Sequence, residues 1–132
     1  MHSLTLWSLS CLLWTAAPDT AVVCDAQLRP TMEKWVEYRQ QQGHRVVWID
    51  SAADPHLIRQ KIIQRAKQTP LRYVLLVGDH RGPFVVPAFH APARVILDWG
   101  SETTIAPDMP YGDLNGDQIP ELAVGRFCVD NA

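Results

Sequence analysis

The sequence has too few cysteines and too little net charge for several common protein classes. Only 3 of its 132 residues are cysteine, and they cannot all pair within the chain, so a disulfide-rich scaffold is excluded. Lysine and arginine number 12 against 14 aspartates and glutamates, and a net charge of -2 excludes a strongly basic nucleic-acid-binding surface. Low-complexity tracts and internal repeats are also missing. With 47% hydrophobic and 20% charged residues, the composition predicts one globular domain.

The N-terminal apolar stretch is too short to cross a membrane. Residues 4–17 read LTLWSLSCLLWTAA and carry no charge, but a transmembrane helix needs about 20 apolar residues. The length, together with the small residues Ala16 and Ala17, is typical of a secretory signal peptide, although no lysine or arginine precedes it. We therefore expect residues 1–18 to be a signal peptide or an N-terminal extension, and we expect no stable membrane span. A helix packed on the domain is the alternative.

Short apolar runs alternate with helical patterns along the rest of the chain. The runs are rich in β-branched residues and are apolar throughout instead of alternating between apolar and polar residues. This is the pattern of strands that are buried on both faces. Asp54 followed by Pro55 is a typical helix start. The alternation predicts an α/β fold of three layers, in which a mostly parallel sheet has helices on both faces. The predicted strands are residues 20–25, 45–49, 73–77, 93–97 and 121–125, and the predicted helices are residues 28–42 and 54–68.

Three aspartates lie at or just after the ends of the first three predicted strands. Asp25, Asp50 and Asp79 each stand at the carboxyl end of a strand, and these ends share one edge of a parallel sheet. Ligands of open parallel sheets bind beyond that edge. The three side chains therefore either line a site or cap the turns that follow the strands.

An acidic segment, DLNGDQIPE, has the oxygen spacing of a calcium loop. Asp113, Asn115, Asp117 and Glu121 place side-chain oxygens at relative positions 1, 3, 5 and 9, and Ile119 offers its backbone carbonyl at position 7. Calcium takes six to eight oxygen ligands from loops of this kind. The sequence therefore predicts Ca²⁺, in a structural role, as the cofactor of this loop.

Two positions of the acidic segment depart from a complete calcium loop. Position 12 is Val124 rather than glutamate, so the segment is not a full EF-hand. Gln118 stands where such loops usually have glycine, at a position that often needs a positive φ. A hydrogen-bonded polar turn that binds no metal is the alternative.

Two blocks of the sequence resemble the gingipain-type cysteine peptidases. They are YVLLVGD at residues 73–79 and YGDLNGDQIPELAVGRF at residues 111–127, and residues 35–47 are similar to a helix and strand of the same family. The resemblance extends over residues 20–127. It implies a caspase-like fold and a secreted or cell-envelope bacterial endopeptidase that acts on protein or peptide substrates. We interpret residues 19–132 as the N-terminal part of such a catalytic domain, with the fold incomplete.

The catalytic dyad that the resemblance implies is not found in this chain. The family uses a histidine followed by glycine, and a cysteine, both placed after the matching blocks. Cys24 falls in a predicted buried strand, and nothing marks Cys128 as a nucleophile. We therefore predict no catalytic residue here and no activity of the chain alone. None of the histidines at 44, 56, 80 and 90 is followed by glycine, because the next residues are Arg, Leu, Arg and Ala.

The resemblance also implies roles for charged residues around the acidic segment. Asp108, Asp113 and Asp117 are candidates to hold a structural cation near a substrate cleft. Asp117 is alternatively a substrate-binding residue, since a carboxylate selects a basic side chain by charge pairing. Arg126, on a predicted strand, is expected to pair with an acidic residue rather than to contact substrate.

Two other functions fit parts of the sequence. The segment from Asp113 to Gly125 also resembles the calcium loop of FG-GAP propeller repeats, which makes a calcium-binding interaction or adhesion module with a DxNxD loop the alternative function. Only one copy is present, whereas a propeller needs several. A nucleotide-binding domain is disfavoured because no glycine-rich phosphate loop follows the first strand.

Overall fold

A four-stranded parallel sheet forms the centre of the domain. The structure, a computed structural model, describes residues 16–94, 100 and 102–129. The strand order in the sheet is β2-β1-β3-β6, and a separate antiparallel pair, β4-β5, lies outside it. The strands are β1 (Thr20–Cys24), β2 (Val46–Asp50), β3 (Tyr73–Val77), β4 (Ala91–Pro92), β5 (Thr104–Ile105) and β6 (Ala123–Phe127), and the helices are α1 (Glu33–Gln41) and α2 (Pro55–Ala66).

Each face of the sheet packs against its own helical layer, so the predicted three-layer α/β fold is confirmed. On one face, Ile58 and Ile62 of α2 are fully buried against Val23 and its neighbours in the sheet. On the other face, the buried residues Leu28 and Met32 and the half-buried Trp35 of α1 pack against the sheet. Alternate residues of a strand point to opposite faces, so β1, β2 and β3 each contribute to both apolar clusters, whereas β6 contributes Val124 to the cluster on the α2 face.

The first predicted helix begins later than expected. Residues 28–42 were predicted as one helix, but α1 begins only at Glu33, after two short 3-10 turns. The Asp25 side chain accepts a hydrogen bond from the Gln27 N–H at 2.8 Å and starts the first turn. Pro30 starts the second turn, where its missing N–H removes a donor that a continuous helix would use. Gly43 follows α1 with φ +93°, as expected for a residue after a helix end.

The last strand begins two residues later than the predicted 121–125. The N–H groups of Glu121 and Leu122 both donate to the Gly112 carbonyl, at 3.0 and 3.1 Å. They therefore close the acidic segment, and pairing with β3 starts at Ala123.

Two other sequence predictions lie partly or wholly outside the described residues. Of the predicted strand 93–97, the residues Ala93 and Arg94 are not in a strand, and 95–97 are outside the described range. Residues 1–15 of the predicted signal peptide are also outside it. Among the described residues, no helix has the length and apolar character needed to span a bilayer.

Candidate functional site at the carboxyl edge of the sheet

An arginine on the last strand organises the carboxyl edge of the sheet. Arg126 donates through Nε and Nη2 to the two carboxylate oxygens of Asp108, at 2.7 and 2.6 Å. Its Nη1 donates to the carbonyls of Gly78 and Val86, at 2.9 and 2.7 Å. The expected acidic partner of Arg126 is therefore Asp108, and this pairing occupies both oxygens of a residue that was also a candidate cation ligand.

The three aspartates at the strand ends act within turns and ion pairs. Asp25 caps the turn that follows β1, and Asp50 pairs with Arg29 at 2.5 Å. The Asp79 carboxylate accepts from the backbone N–H of His80 and is also paired with its ring, at 2.6 Å each. The hydrogen bond from the His80 N–H is the main reason that the pKa of Asp79 lies below its ordinary value. The capping interpretation accounts for Asp25 directly.

The cysteines of the described part of the chain differ in environment. Cys24 is fully buried in β1, and burial raises the pKa of its thiol. A raised pKa keeps the thiol protonated, whereas a catalytic cysteine reacts as the thiolate. Cys128 is exposed directly after β6.

The acidic segment folds into a compact turn held by its own hydrogen bonds. Asp113 accepts from the N–H groups of Gly116 and Gln118, at 2.5 and 3.1 Å. Asn115 Oδ1 accepts from the Asp117 N–H, and Asp117 Oδ1 accepts from the Ile119 N–H, each at 2.8 Å. These are consecutive Asx turns.

One amide group stands between two carboxylates of the same segment. Asn115 Nδ2 donates to Glu121 Oε1 at 2.6 Å and to Asp117 Oδ2 at 3.1 Å. The other Glu121 oxygen accepts from the Leu114 N–H at 2.7 Å. The segment therefore brings its predicted ligand residues into one turn but satisfies their oxygens internally.

Three of the predicted calcium ligands, Asn115, Asp117 and Glu121, are joined by hydrogen bonds in this conformation. Within residues 16–94, 100 and 102–129, no three His, Cys, Asp or Glu side chains are grouped closely enough to hold a metal ion. Asp113 is buried, whereas Asn115, Asp117, Ile119 and Glu121 are exposed. The oxygen-rich composition suits a hard cation, but binding would require the Asn115 amide to leave its position between Asp117 and Glu121.

Asp113 is the most constrained member of the segment. Its burial works to raise the pKa, but the N–H groups of Gly116 and Gln118 and the charge of Arg59 outweigh burial and hold the pKa below its ordinary value. Arg59 of α2 also donates to the carbonyls of Pro110 and Asp113, at 3.0 and 2.9 Å. Arg59 therefore fixes the segment to the domain.

Three residues that position this region were missed in the sequence. Arg59 was assigned only to a helix, because an arginine on a helix is usually solvated. Tyr111 is fully buried and donates its hydroxyl to the Pro87 carbonyl, and burial raises the pKa of that hydroxyl. No pattern marks a partner 24 residues away along the chain. The close fit of Gly112, where a Cβ would overlap the Leu122 carbonyl oxygen, was equally invisible.

Comparison with known proteins defines the class first and then the family. The parallel sheet with its YVLLVGD and DLNGD blocks is the architecture of part of a caspase-like peptidase domain. The model of peptidase family C25 matches residues 14–132, and the chain therefore belongs to that family.

The solved structures that resemble this chain are proteases. The crystal structure of the Arg-specific cysteine proteinase gingipain R (RgpB) matches with a TM-score of 0.66 and 24% identity, over 87% of this chain and 25% of that chain. A complex of Porphyromonas gingivalis RgpB pro- and mature domains matches with a TM-score of 0.67 and 25% identity, over 86% and 25% of the two chains. A structure described as a protease matches at 0.64 and 19%, over 85% and 24%. Among the curated proteins, no relative matches.

The match covers much less of the relatives than of this chain. The chain spans about a quarter of the length of each solved relative. The family match and the structural likeness therefore establish the family and the fold of this chain.

Proposed function

We propose that this chain is the N-terminal scaffold part of a C25 cysteine endopeptidase domain, which cleaves proteins only together with a dyad-bearing part. The observation that carries the proposal is the C25 match over residues 14–132. It is combined with the hydrogen bonds by which Arg126 connects the segments at the carboxyl edge of the sheet. The strands supply a rigid frame, and Arg126 fixes the loop after β3 and the segment before the acidic turn relative to β6. In such a frame, ligands bind beyond the carboxyl ends of the strands.

The first experiment tests the chain alone. The purified full chain is incubated with casein and with a panel of fluorogenic peptides under reducing conditions, with and without a thiol-alkylating inhibitor. We expect no thiol-dependent cleavage, because a cysteine nucleophile needs an activating base and none of the histidines at 44, 56, 80 and 90 is followed by the glycine of the family's dyad motif. Robust cleavage that disappears in Cys128→Ala would overturn the proposal.

The second experiment supplies the missing part. In a chimera, the matched residues of this chain replace the corresponding quarter of gingipain R, and thiol-dependent cleavage is measured. We expect a cleaving chimera, and we expect Asp108→Asn to lower its activity because Arg126 then loses its charged partner. A folded chimera without cleavage would contradict the proposal.

Two finer roles are proposed for the acidic turn. Structural Ca²⁺ is one, and it is supported by the spacing of the oxygen-bearing residues Asp113, Asn115, Asp117 and Glu121. Pairing of Asp117 with a basic substrate side chain is the other, and it is supported by the exposure of that carboxylate. The chimera separates them, because a change of cleavage preference in Asp117→Asn at saturating calcium favours the substrate role. We further propose secretion or a cell-envelope location in a bacterium, on the basis of the family and residues 1–18.

A further inference from the structure

The strand β2 lies at the edge of the sheet opposite β6. The Ser51 N–H donates to β1 at 3.1 Å, and backbone groups of successive residues point to alternate sides of a strand, so Val46 and Trp48 point theirs away from the sheet. The Asp50 carbonyl points the same way and accepts from Lys61 Nζ at 3.0 Å. Within the described part of the chain, no hydrogen bond reaches the outward backbone groups of Val46 and Trp48. These groups are therefore free to pair with a further strand.

A groove runs along β2 on each face of the sheet. The basic groove, on the α2 face, has a volume of about 250 Å³ and is lined by Lys61 and Arg65. The acidic groove, on the α1 face, has a volume of about 240 Å³ and is lined by Glu33 and Glu37. Trp48 borders both grooves. Because side chains of a strand point alternately to opposite faces, a strand added beside β2 would place its side chains in the two grooves in turn.

The two grooves carry opposite charges that are not neutralised within the described part of the chain. In each groove the two charged helix residues lie four positions apart, on one side of their helix. None of these four residues belongs to a salt bridge between described residues. The other charged residues of the grooves, Arg29 and Asp50, pair with each other. The basic groove therefore favours acidic side chains, and the acidic groove favours basic ones.

A second copy of the chain fits this edge poorly. Two copies that pair antiparallel through β2 are related by a two-fold axis perpendicular to the sheet. This axis places the basic groove of one copy beside the basic groove of the other, and the acidic groove beside the acidic groove. Like charges placed next to each other disfavour that pairing, so the charges point to a different occupant.

We propose that β2 is the docking edge for an extended segment of a partner protein in which acidic and basic residues alternate. The segment adds a fifth strand to the sheet by pairing with the backbone of Val46 and Trp48. Its acidic side chains enter the basic groove, and its basic side chains enter the acidic groove. The proposal goes beyond the proposed function, since β2 and Arg126 of β6 lie at opposite edges of the sheet.

The test compares two peptides for binding to the full chain by fluorescence anisotropy. Each is labelled with fluorescein and has about eight residues, slightly longer than a typical strand. In one peptide glutamate and lysine alternate, and in the other the same residues stand in two blocks, so that composition and net charge are equal. We expect the alternating peptide to bind at least about fivefold more tightly, because both of its faces then meet opposite charge. Equal binding of the two peptides, or no binding, would overturn the proposal.

Side-chain variants show whether both grooves take part. Arg65→Gln and Glu37→Gln should each weaken the alternating peptide about two- to fivefold, because each removes one charge from a groove. Lys67→Gln is the matched control, since Lys67 is exposed at the end of α2 and lines neither groove. It should leave the affinity unchanged. Binding that neither groove variant weakens would show that the peptide lies elsewhere, and the docking edge would be rejected.

Backbone variants show whether the peptide pairs as a strand. Val46→Pro removes an outward N–H at the first residue of an edge strand, where proline is tolerated. Val46→Ala removes side-chain packing at the same position but keeps the N–H. We expect the alanine variant to bind the alternating peptide and the proline variant to bind it at least about fivefold more weakly, as loss of a backbone hydrogen bond gives. Equal affinities of the two variants would argue against strand addition.

Two further measurements keep the test decisive if the proline variant does not fold. Hydrogen exchange of the Trp48 N–H in the original chain should slow when the alternating peptide is added, because the amide becomes hydrogen-bonded. Unchanged exchange at a saturating peptide concentration would contradict the proposal. Light scattering tests the other occupant: a dimer of the chain that the peptide dissociates would mean that a second copy covers β2, and would also reject the partner segment.

Discussion

Arg126 and Asp108 form a two-point ion pair that joins the last strand of the sheet to the segment before the acidic turn. The two hydrogen bonds, at 2.7 and 2.6 Å, use both carboxylate oxygens. The Arg126 side chain is only 12% exposed, and its third nitrogen holds the Gly78 and Val86 carbonyls. One side chain thus connects β6, the end of β3, the loop after it and Asp108.

Removing the charge of Asp108 should destabilise the domain clearly. In Asp108→Asn the partly buried guanidinium keeps its charge but loses its charged acceptor, and we expect a loss of about 1.5–3 kcal/mol. Urea denaturation measures it. The matched control is Asp50→Asn, which breaks the more exposed pair with Arg29 and should cost no more than about 1 kcal/mol. Equal losses of unfolding free energy in the two variants would show that the burial of Arg126 does not increase the stability contributed by its ion pair.

The acid limb of stability should depend on Asp19. Burial tends to raise its pKa, but hydrogen bonds from the His44 side chain, the Arg45 N–H and the Thr20 hydroxyl outweigh burial, and the pKa lies below its ordinary value of 3.8. A lowered folded-state pKa contributes stability that is present above pH 3.8 and is lost as the pH falls through the folded-state value. We expect Asp19→Asn to flatten the fall in unfolding free energy below pH 3.8.

A graded series checks that the hydrogen bonds are the cause. Thr20→Val removes only one of the three donors, the hydroxyl 3.0 Å from Asp19 Oδ1. Its acid limb should therefore lie between those of the original chain and Asp19→Asn. Acid limbs that coincide for all three proteins would contradict the assignment to Asp19.

The sequence predicted the sheet better than it predicted the site, and the reason is physical. Strands such as Tyr73–Val77 are buried on both faces, so an uninterrupted run of apolar residues identifies them in the sequence. The residue pattern of 28–42 predicts a helix throughout. The sequence alone does not show that the turn capped by Asp25 forms first and delays the start of α1. The contacts of Arg59 and Tyr111 join parts of the chain far apart in sequence, and no local pattern encodes them.

Calcium should stabilise the chain if the oxygen spacing of the acidic turn has the predicted function. We expect about 1 mM Ca²⁺, in the range of weak extracellular sites, to raise the melting temperature through preferential binding to the folded state. Asp117→Asn should reduce this rise, since it removes a charged ligand, and Asp25→Asn is the control outside the turn. A melting temperature independent of calcium would contradict the prediction and leave the hydrogen-bonded turn as the complete description.

Replacing Gln118 by glycine should stabilise the acidic turn. Gln118 has φ +71°, the only positive φ at a non-glycine residue in the described part of the chain. This conformation costs an L-residue about 1–2 kcal/mol, while glycine costs about 0.5–1 kcal/mol in chain entropy. Gln118→Gly should therefore gain up to about 1.5 kcal/mol, the largest difference between these two effects. The Gln118 N–H that donates to Asp113 is kept.

The same substitution in a helix should have the opposite sign. Gln41→Gly, at the end of α1, should lose stability because glycine is a poor helix former, by up to about 1 kcal/mol. Thermal unfolding of the two variants side by side isolates the backbone effect, since each removes an exposed glutamine side chain. A loss of stability in Gln118→Gly would mean that the Gln118 side chain stabilises the turn by more than its backbone conformation costs.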